Sequence, residues 1–347
     1  MKLPVAPPIE PMLAKLAAEI PAGDGWLYEP KWDGFRAIAF FDGDEVYLQS
    51  RDLKPLARYF PELQASLADA LPKPMVLDGE VVIIGEKGLD FEALLMRIHP
   101  AESRVRKLAA ETPSSFVAFD MLADGDENLC ATPFEQRRAR LEASLADAQA
   151  PAYMTPATRD RDLALDWFDR FEGAGLDGVV AKRLDGTYQP GVRAMIEVKH
   201  LRTVDCVIAG FRWNKGDTGR SVGSLLLGLY GDDGVLNYVG HTSSFKANEK
   251  RELVAKLAPY VSEDGAEGFG AGRTPGGPSR WNQGKDQSYV RLRPELVCEV
   301  TFDYLQGNRF RHAATFRRWR PDKPPRECTW DQIATTVPYE LQQIFSA

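Results

Sequence analysis

The chain has 347 residues, 44% of them hydrophobic and 27% charged, with a formal net charge of -7 and a sequence pI of about 5.4. Those values exclude disordered, collagen-like and uniformly basic chains, and the length leaves room for two domains, each able to bury its own core. The four cysteines, Cys130, Cys206, Cys298 and Cys328, lie far apart with no C-x-x-C pair, which argues against a disulfide framework and against structural zinc.

In chain order, the segment from Met1 to Pro8 is interrupted by prolines before any apolar signal could form, and no later run is long enough to span a bilayer. A reduced cytoplasmic setting without a membrane is therefore expected. Short apolar runs follow at Arg36 to Phe41, Glu45 to Gln49, Met75 to Ile84 and Ser115 to Leu122, each reading as a strand. Thr132-Pro133-Phe134-Glu135 reads as a capping box opening a helix that runs towards Gln149. A second helix is expected from Asp160 to Phe171, stopped by Gly173 and Gly175, with strands at Gly178 to Lys182 and Ala194 to Val198. The first part is thus expected to be α+β, with antiparallel sheets flanked by helices.

Beyond Lys199 the pattern turns to β. Strands are expected at Val204 to Trp213, Ser224 to Tyr230, Val235 to Val239, Tyr289 to Leu292 and Leu296 to Tyr304, with one helix at about Lys246 to Leu257. Five strands and one helix fit an OB-type barrel. The boundary falls within Lys199 to Asp205, dividing the chain into residues 1–202 and 203–347. The stretch Glu263 to Gly284, rich in glycine, reads as a loop; its Gly268-Phe269-Gly270-Ala271-Gly272 run has no strand leading into it and carries no dinucleotide reading. No internal repeat and no G-x-x-x-x-G-K-[ST] phosphate loop is present.

Charge is distributed unevenly. Residues 1–200 hold 23 basic and 33 acidic side chains, a balance of -10, whereas residues 201–347 hold 20 and 17, a balance of +3. The excess is sharpest from Arg309 to Arg326, where seven of eighteen residues are Arg or Lys and the one acid is Asp322. Such a cluster suits a phosphate backbone, and it equally suits a solvated strand face.

The chemistry-bearing segment is Glu29-Pro30-Lys31-Trp32-Asp33-Gly34-Phe35-Arg36. A free lysine has a pKa near ~10.4, so a nucleophilic Lys31 needs surroundings that disfavour its ammonium; Arg36, a second lysine and a divalent metal are expected to provide them. In Val76 to Ile83, alternation puts Asp78 and Glu80 on one face, where a ribose hydroxyl or a hydrated magnesium would answer the cost of burying acids. Phe119 shares a face with Val117 and Met121, a pattern that suits a core aromatic as well as a ring presented to a base. Arg193, Met195, Glu197 and Lys199 share one parity, which aims their cations at one cleft.

Further segments recur in a fixed order after the Lys31 motif: Ser50-Arg51, Leu77-Asp78-Gly79-Glu80-Val81-Val82, Phe116-Val117-Ala118-Phe119-Asp120, Asp177-Gly178-Val179-Val180-Ala181-Lys182, Arg193-Ala194-Met195-Ile196-Glu197-Val198-Lys199 and Arg318-Trp319-Arg320-Pro321-Asp322-Lys323. This series resembles the covalent nucleotidyltransferases, most closely the ATP-dependent DNA ligases of the small bacterial C type and the ligase module of the multifunctional D type. The resemblance runs from Pro11 to about Ile333. It implies a nucleotidyltransferase (adenylation) domain followed by an all-β OB-fold domain, and a DNA ligase that seals 5'-phosphate/3'-hydroxyl nicks in duplex DNA during repair, through a lysyl-AMP intermediate.

By the same resemblance Lys31 takes AMP from ATP, while Glu29, Pro30, Arg36, Arg51, Glu80, Phe119, Lys182, Arg193 and Lys199 bind ATP or AMP. Glu29 would touch the adenine amino edge, Glu80 the ribose, and Phe119 the base. Glu80 and Asp177 would serve magnesium, with manganese as an alternative. Arg318, Arg320, Asp322 and Lys323 belong to the terminal motif, which closes over ATP and orients pyrophosphate. Partners implied are nicked duplex DNA, ATP and a repair protein, with the chain acting as a monomer near the nucleoid.

Glu197 stands where many relatives carry a lysine, Asp177 replaces the more usual glutamate, and Ala313-Ala314 replace a His-Pro-Arg type run. An RNA ligase or RNA-capping guanylyltransferase shares the lysyl-nucleotide chemistry, and a nucleic-acid binding module without catalysis is the alternative of another class. With no preceding helical DNA-binding domain in view, grip on DNA is expected to be modest and salt-sensitive.

Overall fold

A computed structural model of the chain describes residues 1–85, 88–148, 150–171, 175–200, 202–262, 268–270, 275, 288–303 and 305–333. Gln149, Gly173, Tyr304 and most of the glycine-rich stretch from Glu263 to Gly284 lie outside the described residues. The chain divides into two compact units, one formed by Met1–Lys199 and a second starting at His200.

The first unit is built on two sheets. One has the order β1-β12-β11-β2, from β1 (Leu13–Leu16), β2 (Trp26–Lys31), β11 (Gly178–Arg183) and β12 (Arg193–Lys199). The other runs β10-β8-β5-β3-β4, from β3 (Phe35–Phe41), β4 (Val46–Ser50), β5 (Met75–Val82), β8 (Ser115–Asp124) and β10 (Ala152–Met154). Three short strands, β6 (Ile84–Gly85), β7 (Gly88–Leu89) and β9 (Glu127–Asn128), make local hairpins. The sheets are antiparallel as expected except at two edges, where β1 pairs parallel to β12 and β10 parallel to β8.

β2 was not anticipated, because Glu29, Pro30 and Lys31 do not read as an apolar alternation. It is an edge strand, where a proline without an N–H is tolerated. Three helices also escaped the sequence reading, α1 (Pro61–Ala70), α2 (Phe91–Met96) and α3 (Glu102–Glu111). The two expected ones are α4 (Phe134–Leu145) and α5 (Arg161–Phe171). The capping box at α4 does not form: the cap position falls on Pro133, which has no side-chain acceptor, while Thr132 N donates to Leu129 O at 2.9 Å. At α5 the Asp160 carboxylate accepts from Asp162 N at 2.8 Å and Leu163 N at 3.3 Å, which satisfies two of the end donors.

Leu63 and Leu67 of α1 pack onto Ala39, Leu48, Leu77 and Met75 behind the five-strand path. Tyr28, Val179, Ala181 and Val198 of the other sheet pack with Ala164 of α5. A third cluster joins the sheets face to face through Ile38, Phe40, Val76, Leu122, Met12 and Met195. Helices therefore cover the outer faces, and the inner faces meet each other.

In the second unit β13 (Arg202–Trp213), β14 (Val222–Tyr230), β15 (Leu236–Thr242), β16 (Val290–Phe302) and β19 (Thr315–Trp319) form an antiparallel sheet of order β15-β14-β13-β16-β19. A parallel bridge from Thr242 to Ala314 joins its two edges, as in an OB-type barrel. The helix α6 (Ala247–Leu257) covers it, and a small ribbon, β17 (Leu305–Gln306) with β18 (Arg309–Phe310), precedes the last strand. Five strands are present, but their membership differs from expectation. The runs expected to begin at Tyr289 and at Leu296 fall in one strand, β16 (Val290–Phe302), whose partner β13 shifts register at Ile208/Gly210, and the fifth strand of the sheet is β19.

Candidate active site

Between the two sheets of the first unit lies a cavity of about 210 Å³. Glu29 and Lys31 enter from β2, Val180 and Lys182 from β11, and Arg193, Met195, Glu197 and Lys199 from β12. Arg36, Glu80 and Phe119 face them from β3, β5 and β8, while Pro30, Trp32, Arg51 and the segment Pro11, Leu13 and Ala14 complete the wall. Strand alternation explains the set: residues two apart share a face. All ten residues expected at the nucleotide line this one cavity. Asp177 does not line it but sits against Lys31.

Lys31 is the last residue of β2, opposite Gly178 of β11, which is in turn opposite Lys199 of β12. That register brings both lysines to Asp177, whose Oδ2 is 2.7 Å from Lys31 Nζ and 3.4 Å from Lys199 Nζ. Asp177 N also donates to Lys31 O at 2.9 Å. Gly178 permits the approach: its φ is +144°, and a Cβ there would collide with Val198 O. Just beyond Lys31, Trp32 Nε1 donates to Thr155 Oγ1 at 2.8 Å. Gly34 is needed because a Cβ would strike Val81 O and come within 2.9 Å of the Glu80 side chain.

The protonation of Lys31 corrects the sequence reading. Burial disfavours its charge, but the charge and hydrogen bond of Asp177, then the charges of Glu80 and Glu197, outweigh burial and raise its pKa. In this state the amine is held as an ammonium. Burial raises the Asp177 carboxyl, and Lys31 and Lys199 more than reverse that, so its pKa is lowered. Glu80 is pushed up to about 7, first by burial and then by Asp33 and Asp78, against the opposing pull of Arg36 and Lys31.

Asp78 is the second correction. It is fully buried and committed to the protein: Arg36 Nε donates to its Oδ1 at 2.7 Å, Arg36 Nη2 to its Oδ2 at 2.7 Å, and Tyr188 Oη to Oδ2 at 2.6 Å. A bidentate arginine and a phenol answer the cost of burial, so Asp78 fixes Arg36 and leaves Glu80 as the carboxylate in the cavity. Tyr188 in turn accepts from Met12 N at 3.0 Å, and the Arg36 guanidinium lies 4.7 Å from the Phe119 ring centre.

At the other end Glu29, 2% exposed, is bound by Lys182 Nζ at 2.7 Å on one oxygen and Arg138 Nη1 at 3.3 Å on the other. Lys182 Nζ also donates to Phe119 O at 2.8 Å and lies 4.7 Å from the centres of the Phe119 and Phe134 rings. Arg138 and Tyr188 were missed by sequence reasoning, since Arg138 lies 109 residues from Glu29 and Tyr188 lies 110 from Asp78. A buried acid on a polar face was the available signal: it demanded partners without naming them.

Arg318, Arg320, Asp322 and Lys323 lie in the second unit. Arg318 pairs with Glu299 at 2.7 Å, Arg320 with Asp205 at 2.9 Å and Asp322 at 2.8 Å, and Lys323 with Glu327 at 3.2 Å. The arginine holds Asp322 down to about 2. Three of the seven cations of the basic run, Arg318, Arg320 and Lys323, are thus paired with acids of their own unit, so its net positive potential is smaller than the residue count implies.

Two family models match. One, described as ATP dependent DNA ligase domain, covers residues 11–199, and one described as ATP dependent DNA ligase C terminal region covers 218–323. DNA ligase C of Mycobacterium tuberculosis is 51% identical over 356 residues, spanning 99% of each chain. The multifunctional non-homologous end joining protein LigD of Mycolicibacterium smegmatis is 32% identical over 311 residues, 88% of this chain and 37% of that one. A solved structure from a study of Lig E DNA ligases shares the fold, with a TM-score of 0.56 and 19% identity over 90% of this chain and 99% of that one. The chain belongs to the ATP-dependent DNA ligases. It is accordingly an ATP-using enzyme of a family that works through a lysyl-AMP intermediate, which sets aside the capping, RNA-ligase and binding-module readings.

Proposed function

We propose that Lys31 is the adenylylated nucleophile, that residues 1–202 act as the adenylation domain and that residues 203–347 act as an OB-fold domain closing over ATP. The observation that carries this reading is an amine at a strand end, beside a cavity lined by an aromatic ring, Phe119, a buried acid, Glu29, and the cations Lys199 and Arg193. Phe119 stacks on adenine, Glu29 accepts from its amino group, and Glu80 meets the ribose. Lys31 Nζ, once it has lost a proton, attacks the α-phosphorus as the bond to pyrophosphate breaks. The 5'-phosphate oxygen of a nick then attacks the same phosphorus and Lys31 leaves as the amine. Finally the 3'-hydroxyl attacks the 5'-phosphorus, AMP departs, and the strand is sealed.

Within the site Asp177 orients Nζ by its 2.7 Å hydrogen bond, and Lys199 shares that carboxylate. Arg36, Arg51, Lys182 and Arg193 add fixed positive charge or hold the groups that read the nucleotide, so positioning and electrostatics supply most of the catalysis. Among the described residues no three His, Cys, Asp or Glu side chains converge as a metal cage. Glu80 and Asp177 nonetheless suit magnesium, which commonly takes one or two carboxylates and completes its shell with waters and substrate phosphates. Bound with ATP, the ion would supply charge neutralisation at the phosphates.

No helix among the described residues is long and apolar enough to cross a membrane. We further infer action as a monomer in the cytoplasm near the nucleoid, on nicks arising in repair and with a protein partner. The deciding experiment incubates wild type and Lys31→Ala with magnesium and labelled ATP, then chases with nicked duplex. Label on the wild type that moves to DNA and seals it, with none on the variant, is the expected result. Label retained by Lys31→Ala would refute the assignment.

A further inference from the structure

Leu53 sits where its turn asks for glycine. With φ at +63° it is the one non-glycine residue of positive φ among the described residues. The turn after β4 is tightly bonded: Leu53 N donates to Ser50 O at 2.9 Å, Lys54 N to Ser50 Oγ at 3.0 Å, and Ser50 N to Lys54 O at 2.8 Å. Glycine or asparagine adopts the left-handed conformation at least cost, whereas a branched side chain is strained there. Leu53 gains little burial in return, being 38% exposed. An apolar side chain that strains its turn and stays half in water points to a role outside the fold.

Its neighbours narrow that role. Arg51 and Lys54 are exposed on the same turn, Arg58 follows on the next, and Asp52 is the one acid between residues 50 and 58. Arg51 also forms part of the cavity wall that holds Lys31. An apolar tip on a turn that also carries Arg51 and Lys54 thus stands two residues from the nucleotide cavity.

We propose that Leu53 is a contact for the nicked duplex, packing against a deoxyribose of the 5'-phosphate strand while Arg51 and Lys54 meet its phosphates. This rests on the ligase reading above, in which a 5'-phosphate must reach AMP held on Lys31. The cations select a phosphodiester backbone, and the leucine favours a sugar that presents C–H at the 2' position. A 2'-hydroxyl pressed against it would lose water without gaining a partner, so the same contact weighs against ribonucleotides on that strand.

Leu53→Gly and Leu53→Asn both keep a left-handed turn and remove the apolar tip. Each variant would be compared with wild type for melting temperature, lysyl-AMP formation from labelled ATP, and anisotropy-based binding of nicked duplexes. The duplexes are all DNA, or carry one ribonucleotide at the 5'-phosphate. We expect unchanged or higher melting temperature, wild-type lysyl-AMP formation, about tenfold weaker binding of the all-DNA nick, and a smaller gap between the two duplexes. Wild-type binding by both variants would overturn the proposal. So would a fall in melting temperature together with lost lysyl-AMP, which would make Leu53 a structural residue. Failure of wild type itself to form lysyl-AMP would overturn the ligase reading instead, and the binding comparison would still judge Leu53.

Discussion

Asp177→Asn should make Lys31 lose its proton more readily, because it removes the strongest influence holding the ammonium. The pair is 2.7 Å apart. At an effective dielectric of ~20 that distance corresponds to an attraction of about 6 kcal/mol. Both side chains keep some contact with water, 18% for the lysine and 16% for the aspartate, so about half that figure is appropriate. Burial, the largest influence on Lys31, lowers its pKa, and Asp177 is the strongest influence opposing it. Removing Asp177 therefore leaves Glu80 and Glu197 against burial, and the pKa should fall from above its ordinary value to below it. The assay is reductive methylation of the protein without nucleotide or metal, with Lys31 modification followed by peptide mass spectrometry across pH. At pH 8 the variant should react faster at this lysine, by on the order of tenfold or more. An unchanged or slower rate would refute the account of how Lys31 is held. Nick sealing should nonetheless fall, because the substitution also removes the group that orients Nζ.

Glu80→Gln should be stabilising in the nucleotide-free protein, and only above a certain pH. The folded carboxyl titrates at about 7, above its unfolded value, so the folded state binds more protons between those values and wild type loses stability as pH rises through that window. Chemical denaturation at pH 8 should favour the variant by on the order of 2 kcal/mol, and the advantage should vanish near pH 4; a constant difference would contradict the burial argument. Arg138→Ala leaves Glu29 with Lys182 alone and removes the 2.9 Å bond to Thr155 O; it should cost about 3 kcal/mol and raise the KM for ATP in lysyl-AMP formation more than it lowers the maximal rate. Restored KM in Arg138→Lys would support the ion pair, and an unaltered KM in Arg138→Ala would exclude it. Gly178→Ala should destabilise by about 3 kcal/mol or more, because both its φ and the Val198 carbonyl resist a Cβ. A wild-type melting curve would show that β11 and β12 can part there.

Local periodicity made much of the cavity wall legible. Residues two apart on a strand share a face, so Arg193, Met195, Glu197 and Lys199 could be placed together, and all four line the cavity. The α+β character of the first unit and the β character of the second follow from the same alternation, since sheets with one packed face repeat with period two. What stayed hidden is what alternation does not encode. β2 has no apolar rhythm because its residues serve the site and its edge position tolerates Pro30. The short helices gain their stability from tertiary packing rather than from a long repeat of their own, α1 through Leu63 and Leu67 and α2 through Ala93 and Leu94 in the core behind the five-strand path.

Pairing was the larger gap. Parity put Asp78 and Glu80 on one face correctly, yet it could not say that Arg36 and Tyr188 would claim one acid and leave the other in the cavity. Likewise the Lys31 motif could be read as a reactive amine with cations around it, whereas the nearest charged group is an anion 146 residues downstream. That difference changes the chemistry assigned to the resting protein. A lysine surrounded by cations would be primed before ATP arrives; one clamped by Asp177 keeps its proton until binding reorganises the charges around it. If Lys31 is the nucleophile proposed above, the second arrangement would guard it between turnovers, because an ammonium does not react with stray electrophiles. The pH profile of Lys31 modification in wild type and Asp177→Asn distinguishes the two.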